Sequence, residues 1–244
     1  MMLRSPLLLA SAWAVLASIA MPTSGQDSAD DVLERAHQAR ASWGPAFPGF
    51  TADVAVQGEG PEARGTLRVS PQGEVTLDMP EGPARTWARS QLRSIVMHRG
   101  LDGPPHQEPG STFAEPESEG DSNPLGRLIR LSGGDSQSAY RIKGDEIREV
   151  NRTMGKTRFT NVVLESMRNA EGKTLPLAYS TSYFDAATGK LQRVETIHDS
   201  WARVGKLDLP RSRTQVTATD GKSQARRLEL SGHKIIGAAE APAR

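Results

Sequence analysis

Residues Trp43–Val56 read WGPAFPGFTADVAV, and the change of period inside this stretch decides the fold. Before it, apolar residues recur at helical spacing. After it, Phe50, Ala52, Val54 and Val56 alternate with their neighbours, as in a strand with one covered face. Gly44-Pro45 and Pro48-Gly49 lie between the two patterns, where proline cannot continue a helix and glycine permits a tight turn.

Upstream, Ser28-Ala29-Asp30-Asp31 has the form of a capping box. The spacing of Val32, Leu33, Ala36, Ala39 and Trp43 predicts one amphipathic helix ended by Gly44. The first residues read as an export signal: Arg4, then an apolar run from Leu7 to Ala20, then small residues that offer cleavage after Ala20 or Gly25. The run is about 14 residues, short of the roughly 20 that a spanning helix needs. The expected organisation is a signal peptide over 1–25, one mainly-β domain over 26–236, and a disordered tail over 237–244. Within the domain, 101–124 is expected to be a flexible loop, rich in Gly, Pro and acidic residues. Such a chain would be exported, periplasmic or extracellular and soluble, with no transmembrane segment after cleavage.

Downstream, period-two segments recur between turn signals: Ala63 to Val69, Val75 to Leu77, Leu125 to Leu131, Tyr140 to Ile142, Glu146 to Arg152, Thr157 to Glu165, Leu175 to Phe184, Leu191 to Trp201, Ser212 to Thr219, and a last strand ending near Leu230. A second helix follows Pro83, with Trp87, Leu92 and Ile95 on its apolar stripe, and it ends at His98-Arg99-Gly100. There is no βα alternation and no 20–50-residue repeat. The pattern predicts a mainly β (α+β) protein. Its core is a single curved antiparallel sheet or incomplete β-barrel of about ten strands, with the N-terminal helix and the inserted helix covering the concave face.

The chain has no cysteine, which removes disulfides, thiol nucleophiles and thiolate metal sites together. It carries 30 basic and 29 acidic residues, and the leader would take Arg4 with it, so nothing electrostatic points to nucleic acid or an anionic membrane as a partner. No G-x-S-x-G, HExxH or glycine-rich phosphate loop is present. His198 and Asp199 are neighbours on a strand and so point to opposite faces, which argues against a dyad between them. His37 reads as solvated, His106 lies in the loop and His233 in the tail. By elimination a binding role is favoured over catalysis, with no catalytic residue, metal or cofactor expected.

The candidate ligand-binding residues are Trp43, Phe47, Phe50, Trp87, Leu92, His98 and Arg99. The aromatic side chains either line an apolar pocket between helix and sheet, together with Phe113, or form the core. His98 and Arg99 either complement the helix C-terminus or hold a carboxylate or phosphate. The expected partner is an apolar or amphipathic, lipid-like small molecule, or an envelope protein. An extracytoplasmic hydrolase or isomerase with His98 or His198 as general base is the enzymatic alternative.

The Trp43-to-Phe50 stretch, continuing into Ala52-Asp53-Val54, resembles the opening of an uncharacterised bacterial family known only as a domain of unknown function. The helix ending His98-Arg99 and the segment Tyr183-Phe-Asp185-Ala-Ala-Thr-Gly189 follow in a similar order. That resemblance implies no activity and transfers no catalytic residue. In architecture alone the chain is also similar to the periplasmic lipoprotein carriers of the LolA and LolB type, in which helices lie as a lid over an incomplete barrel. This likeness implies an apolar cavity, while the 5% aromatic content limits its size.

Overall fold

A computed structural model describes residues 27–58, 60–100, 110–115, 119, 122–131 and 138–237. The leader over 1–25, His106 and most of the expected loop, and all but the first residue of the tail lie outside these. Among the described residues no helix is long and apolar enough to cross a membrane.

The chain forms one open antiparallel sheet of twelve strands with two helices, and the sheet does not close into a barrel. Helix α1 (Ala29–Gln38) opens it, followed by β1 (Phe50–Gln57), β2 (Ala63–Val69) and β3 (Val75–Asp78). Helix α2 (Pro83–Arg99) is inserted next. The remaining strands are β4 (Ser111–Phe113), β5 (Arg127–Leu131), β6 (Ser138–Lys143), β7 (Glu146–Met154), β8 (Thr157–Arg168), β9 (Thr174–Asp185), β10 (Leu191–Val204), β11 (Leu207–Thr219) and β12 (Lys222–Ile235). The order across the sheet is β3-β2-β1-β12-β11-β10-β9-β8-β7-β6-β5-β4. Eleven strands follow the alternation in the sequence. The twelfth, β4, lies inside the segment expected to be a loop, where Phe113 pairs with Ile129.

Short turns join most neighbours, but the pairing of β1 with β12 joins the two ends of the chain, with Phe50 opposite Ile235 and Val56 opposite Leu228. Strand β12 therefore runs past Leu230 and includes His233, whose ring contacts the Pro210 carbonyl oxygen at 2.9 Å instead of lying in a tail. Gly49 is required where the chain enters β1. Its φ is +80°, and a Cβ there would stand 2.5 Å from the Val69 carbonyl oxygen.

Residues paired across strands share a face, so Tyr140, Val150, Asn161, Thr181, Glu195 and Thr217 form one row across the middle of the sheet. Both helices pack on this face. Under α2 lies an apolar cluster that includes Phe50, Val54, Leu67, Val69, Leu92, Leu209 and Leu228. Under α1 lies a second, with Leu33, Ala36, Ile129, Tyr140 and Ile142. The opposite face carries Ser180, Thr196 and Val216 in register and is partly exposed to exposed.

The Ser28 capping box forms as the sequence predicts, with the Ser28 hydroxyl accepting from Asp31 N and the Asp31 carboxylate accepting from Ser28 N. The helix, however, stops at Gln38 rather than at Gly44. Residues 39–43 leave the helix because tertiary partners satisfy their backbone: Thr174 N donates to Ala39 O at 2.7 Å and Ala41 N to Thr174 O at 2.9 Å. Trp43 N donates to Arg99 O at 2.8 Å. This short passage ties the end of α1 to the end of α2.

Candidate functional site

The tie between the helix ends assembles a group of cations. Helix α2 runs without a break from Pro83 and ends at Gly100, so its last turn delivers His98 and Arg99 to the helix-bearing face of β9–β11. The passage after α1 delivers Arg40, whose Nη2 donates to His98 O at 3.3 Å. Arg99 Nη1 donates to Ala41 O at 3.0 Å, and its guanidinium lies 5.0 Å from the ring centre of Trp201. Strand alternation supplies the rest. Arg213 on β11 faces Asp199 on β10, and the two form a bidentate pair with both bonds at 2.7 Å. Gln91 on α2 accepts from Arg213 Nη1 at 3.2 Å. One turn earlier, Trp87 Nε1 donates to Gln215 Oε1 at 2.7 Å in buried surroundings.

The charges do not balance. Arg99 and Arg213 are 5% and 4% exposed, yet of these arginines only Arg213 has a carboxylate partner among the described residues. Arg99 is hydrogen-bonded only to a carbonyl. Burial and then the charge of Arg40 lower its pKa to about 10, against the opposing pull of Asp199 and Tyr179. Arg40 is lowered too, by burial, with Tyr140 acting the other way. Burial is also the largest influence on Arg213, but there the bond to Asp199 and the nearby Tyr179 outweigh it and raise the pKa. Burial pushes Tyr179 up to about 12, so its hydroxyl stays protonated. His98 is exposed to water, with three arginines near enough to act on it. Desolvation first, then Arg40, Arg99 and Arg213, hold its pKa near 4, so at neutral pH the ring is uncharged and retains a donor and an acceptor. A neutral imidazole beside one buried and one half-buried guanidinium, neither paired with a carboxylate among the described residues, is chemistry suited to an anion, because bidentate bonds to carboxylate or phosphate would supply the missing charge.

The other candidate residues from the sequence lie beside this group. Trp43 stacks on Phe47 at 4.5 Å and meets Phe50 edge-on at 5.9 Å. Trp43 Nε1 donates to Asp208 O at 3.0 Å. These three, with Trp87 and Leu92, pack into the apolar cluster under α2. Phe113 is separated from them. It packs with the α1 cluster, where the Arg127 guanidinium lies 3.5 Å from its ring centre. His37, expected to be solvated, stands edge-on to Tyr140 at 5.8 Å. Among the described residues neither the His98 nor the His198 side chain is hydrogen-bonded to a carboxylate or hydroxyl, and no group of three or more His, Asp or Glu is placed to hold a metal. Elsewhere on the described residues, a cleft of about 530 Å³ lies beside α2 and a depression of about 320 Å³ beside Ser28 and Phe113.

Sequence reasoning missed Arg40, Asp199 and Arg213. The available signal was alternation, which puts charged Asp199 on the same face as Ile197, and Arg213 on the same face as Gln215. Only the β10–β11 register makes the opposing charges of Asp199 and Arg213 a pair.

The molecule is thus an open antiparallel sheet with two helices on one face and a partly buried arginine cluster where the helix ends meet. Residues 24–236 match the family described as "Protein of unknown function (DUF3386)", and the chain belongs to that family. No curated protein matches it. Among solved structures it is similar to a DUF1329 family protein from Desulfovibrio piger ATCC 29098, with 7% identity, coverage of 86% of this chain and 92% of that one, and a TM-score of 0.25. It is also similar to MucB in complex with MucA(peri), with 12% identity, coverage of 82% and 91%, and a TM-score of 0.20. Neither likeness bears on function.

Proposed function

We propose that this chain is an exported, non-catalytic binding module for an amphipathic ligand whose anionic head sits at Arg40, His98 and Arg99. One observation carries the reading: Arg99 is buried and Arg40 half-buried beside it, with no carboxylate bonded to either among the described residues. Burying an unpaired charge is costly, and such groups are ordinarily paired or liganded. Trp43, Phe47, Phe50, Trp87 and Leu92 would form the apolar wall next to the head. Because these side chains pack on one another, an apolar tail would enter only as α2 lifts from the sheet. The likeness in architecture to LolA- and LolB-type carriers belongs to this proposal, as do export and the single-domain organisation.

The second reading is an envelope interaction protein without a small ligand. The close packing of Trp43, Phe47 and Phe50 and the two open sheet edges at β3 and β4 favour it. Native mass spectrometry of residues 26–244, purified from the exported fraction before and after solvent extraction, separates the two. A lipid-sized mass that extraction removes, and that an Arg99→Met variant fails to retain, supports the carrier. A bare polypeptide mass sinks the carrier and favours the interaction protein.

A further inference from the structure

The outer side of α2 carries a second cationic feature, distinct from the group at the helix end. Arg85, Arg89 and Arg93 follow one another at intervals of four residues, so they rise along one side of the helix about 6 Å apart. With Glu81, Thr86 and Ser90 they line a cleft of about 530 Å³. Like charges at this spacing repel and weaken a helix. Residues Pro83–Arg99 contain no acidic residue that would relieve the repulsion. Glu81 bonds Arg85 Nη1 at 3.0 Å, but its own side chain is 93% exposed, so the pair is a weak one. Arg89 and Arg93 have no ion pair among the described residues. The Nε atoms of Arg85 and Arg89 are shut off from solvent and have no acceptor. The Ser90 hydroxyl is exposed beside them and adds a neutral donor.

We propose that this cleft is an anion site that takes a phosphate group, held by Arg89 and Arg93 with Arg85 at its margin. Guanidinium forks match phosphate oxygens two at a time, and the spacing lets adjacent arginines grip one group from two sides. The phosphate is either free or the head of an anionic phospholipid.

The test uses the mature chain in two parallel arms: calorimetric titration with inorganic phosphate, and cosedimentation with neutral phospholipid vesicles prepared with and without phosphatidylglycerol. The variants are Arg89→Gln/Arg93→Gln, checked for an unchanged thermal midpoint, and Arg99→Met as a marker for the helix-end group. Because the helix-end group also takes an anion, binding at the cleft is read as what remains in Arg99→Met; adding Arg89→Gln/Arg93→Gln to that variant removes two charge-assisted contacts and is expected to weaken the remaining binding about a hundredfold. Phosphate binding that persists in Arg99→Met assigns a free phosphate to the cleft, and persistence only on phosphatidylglycerol vesicles assigns a lipid headgroup. The proposal is overturned if neither arm shows binding, or if adding Arg89→Gln/Arg93→Gln to Arg99→Met leaves the remaining binding unchanged. It is also overturned if Arg99→Met alone abolishes binding, a result that would leave the helix-end reading standing.

Discussion

The sharpest consequence of the charge imbalance concerns Asp199, the one carboxylate among the cations. Asp199→Asn keeps the shape of the side chain but removes its charge. The pair it makes with Arg213 is buried on both sides, at 4% and 5% side-chain exposure, and bidentate at 2.7 Å. Breaking such a pair from one side costs about 3–5 kcal/mol, because the surviving charge stays buried. In a domain of this size each kcal/mol moves the melting midpoint by about 2–4 °C, so a fall on the order of 10 °C is expected. The variant should also bind anions more tightly than the wild type, since the negative charge bonded to Arg213 has gone. Added phosphate should therefore restore more stability to Asp199→Asn than to the wild type, through preferential binding to the folded state. The assay is differential scanning calorimetry across a phosphate series at constant ionic strength. The double variant Asp199→Asn/Arg213→Met should recover much of the loss, because replacing both members of a buried pair is often neutral. A midpoint within about 2 °C of wild type, the shift expected from under 1 kcal/mol, would refute the reasoning. So would phosphate stabilising both proteins equally, since Asp199 would then not oppose the anion.

Arg99→Met should change stability little, unlike removal of a paired arginine. The fall of the Arg99 pKa to about 10 corresponds to roughly 3 kcal/mol of unfavourable charge, which the lost bond to Ala41 O, worth about 1.5–3 kcal/mol, largely offsets. A loss above about 3 kcal/mol in urea unfolding would make Arg99 a structural residue. His98 should titrate well below 6.5 by NMR, near 4. Its folded pKa lies below its unfolded one, so the unfolded chain takes up the proton first; stability from this group is complete above about pH 6.5 and declines as pH falls towards 4. Bound phosphate should raise that midpoint, and a midpoint at or above 6.5 without phosphate would remove the cationic surroundings from the argument. Gly65→Ala should destabilise the sheet by about 1–3 kcal/mol, because the new Cβ would stand 2.1 Å from the Asp78 carbonyl oxygen and 2.8 Å from Met79 Cβ. An unchanged urea midpoint would mean that β2 and the end of β3 lie farther apart.

What the sequence revealed, and what it hid, follows from the range of the forces involved. The capping box at Ser28 and the end of α2 at Gly100 depend on residues a few positions apart, and both were legible. Alternation within each strand is equally local, so the covered face of β1 could be read from Phe50, Ala52, Val54 and Val56. The premature end of α1 could not. The pattern from Val32 to Trp43 supports a longer helix, and it is overridden by Thr174 and Arg99, far away in the chain, which bind the backbone of Ala39, Ala41 and Trp43. That same override creates the candidate site. Had the helix continued to Gly44, Arg40 and Ala41 would have stayed on its surface, and the passage that carries them to the end of α2, where Ala41 O accepts from the Arg99 guanidinium, would not exist. His98 and Arg99 were visible because two adjacent cationic residue types close a helix. Arg40, Asp199 and Arg213 were not, because each gains its meaning from a partner on another element. The site is therefore built at the point where local propensity yields to tertiary contact, and the segment 39–43 links its existence to the packing of both helices on the sheet.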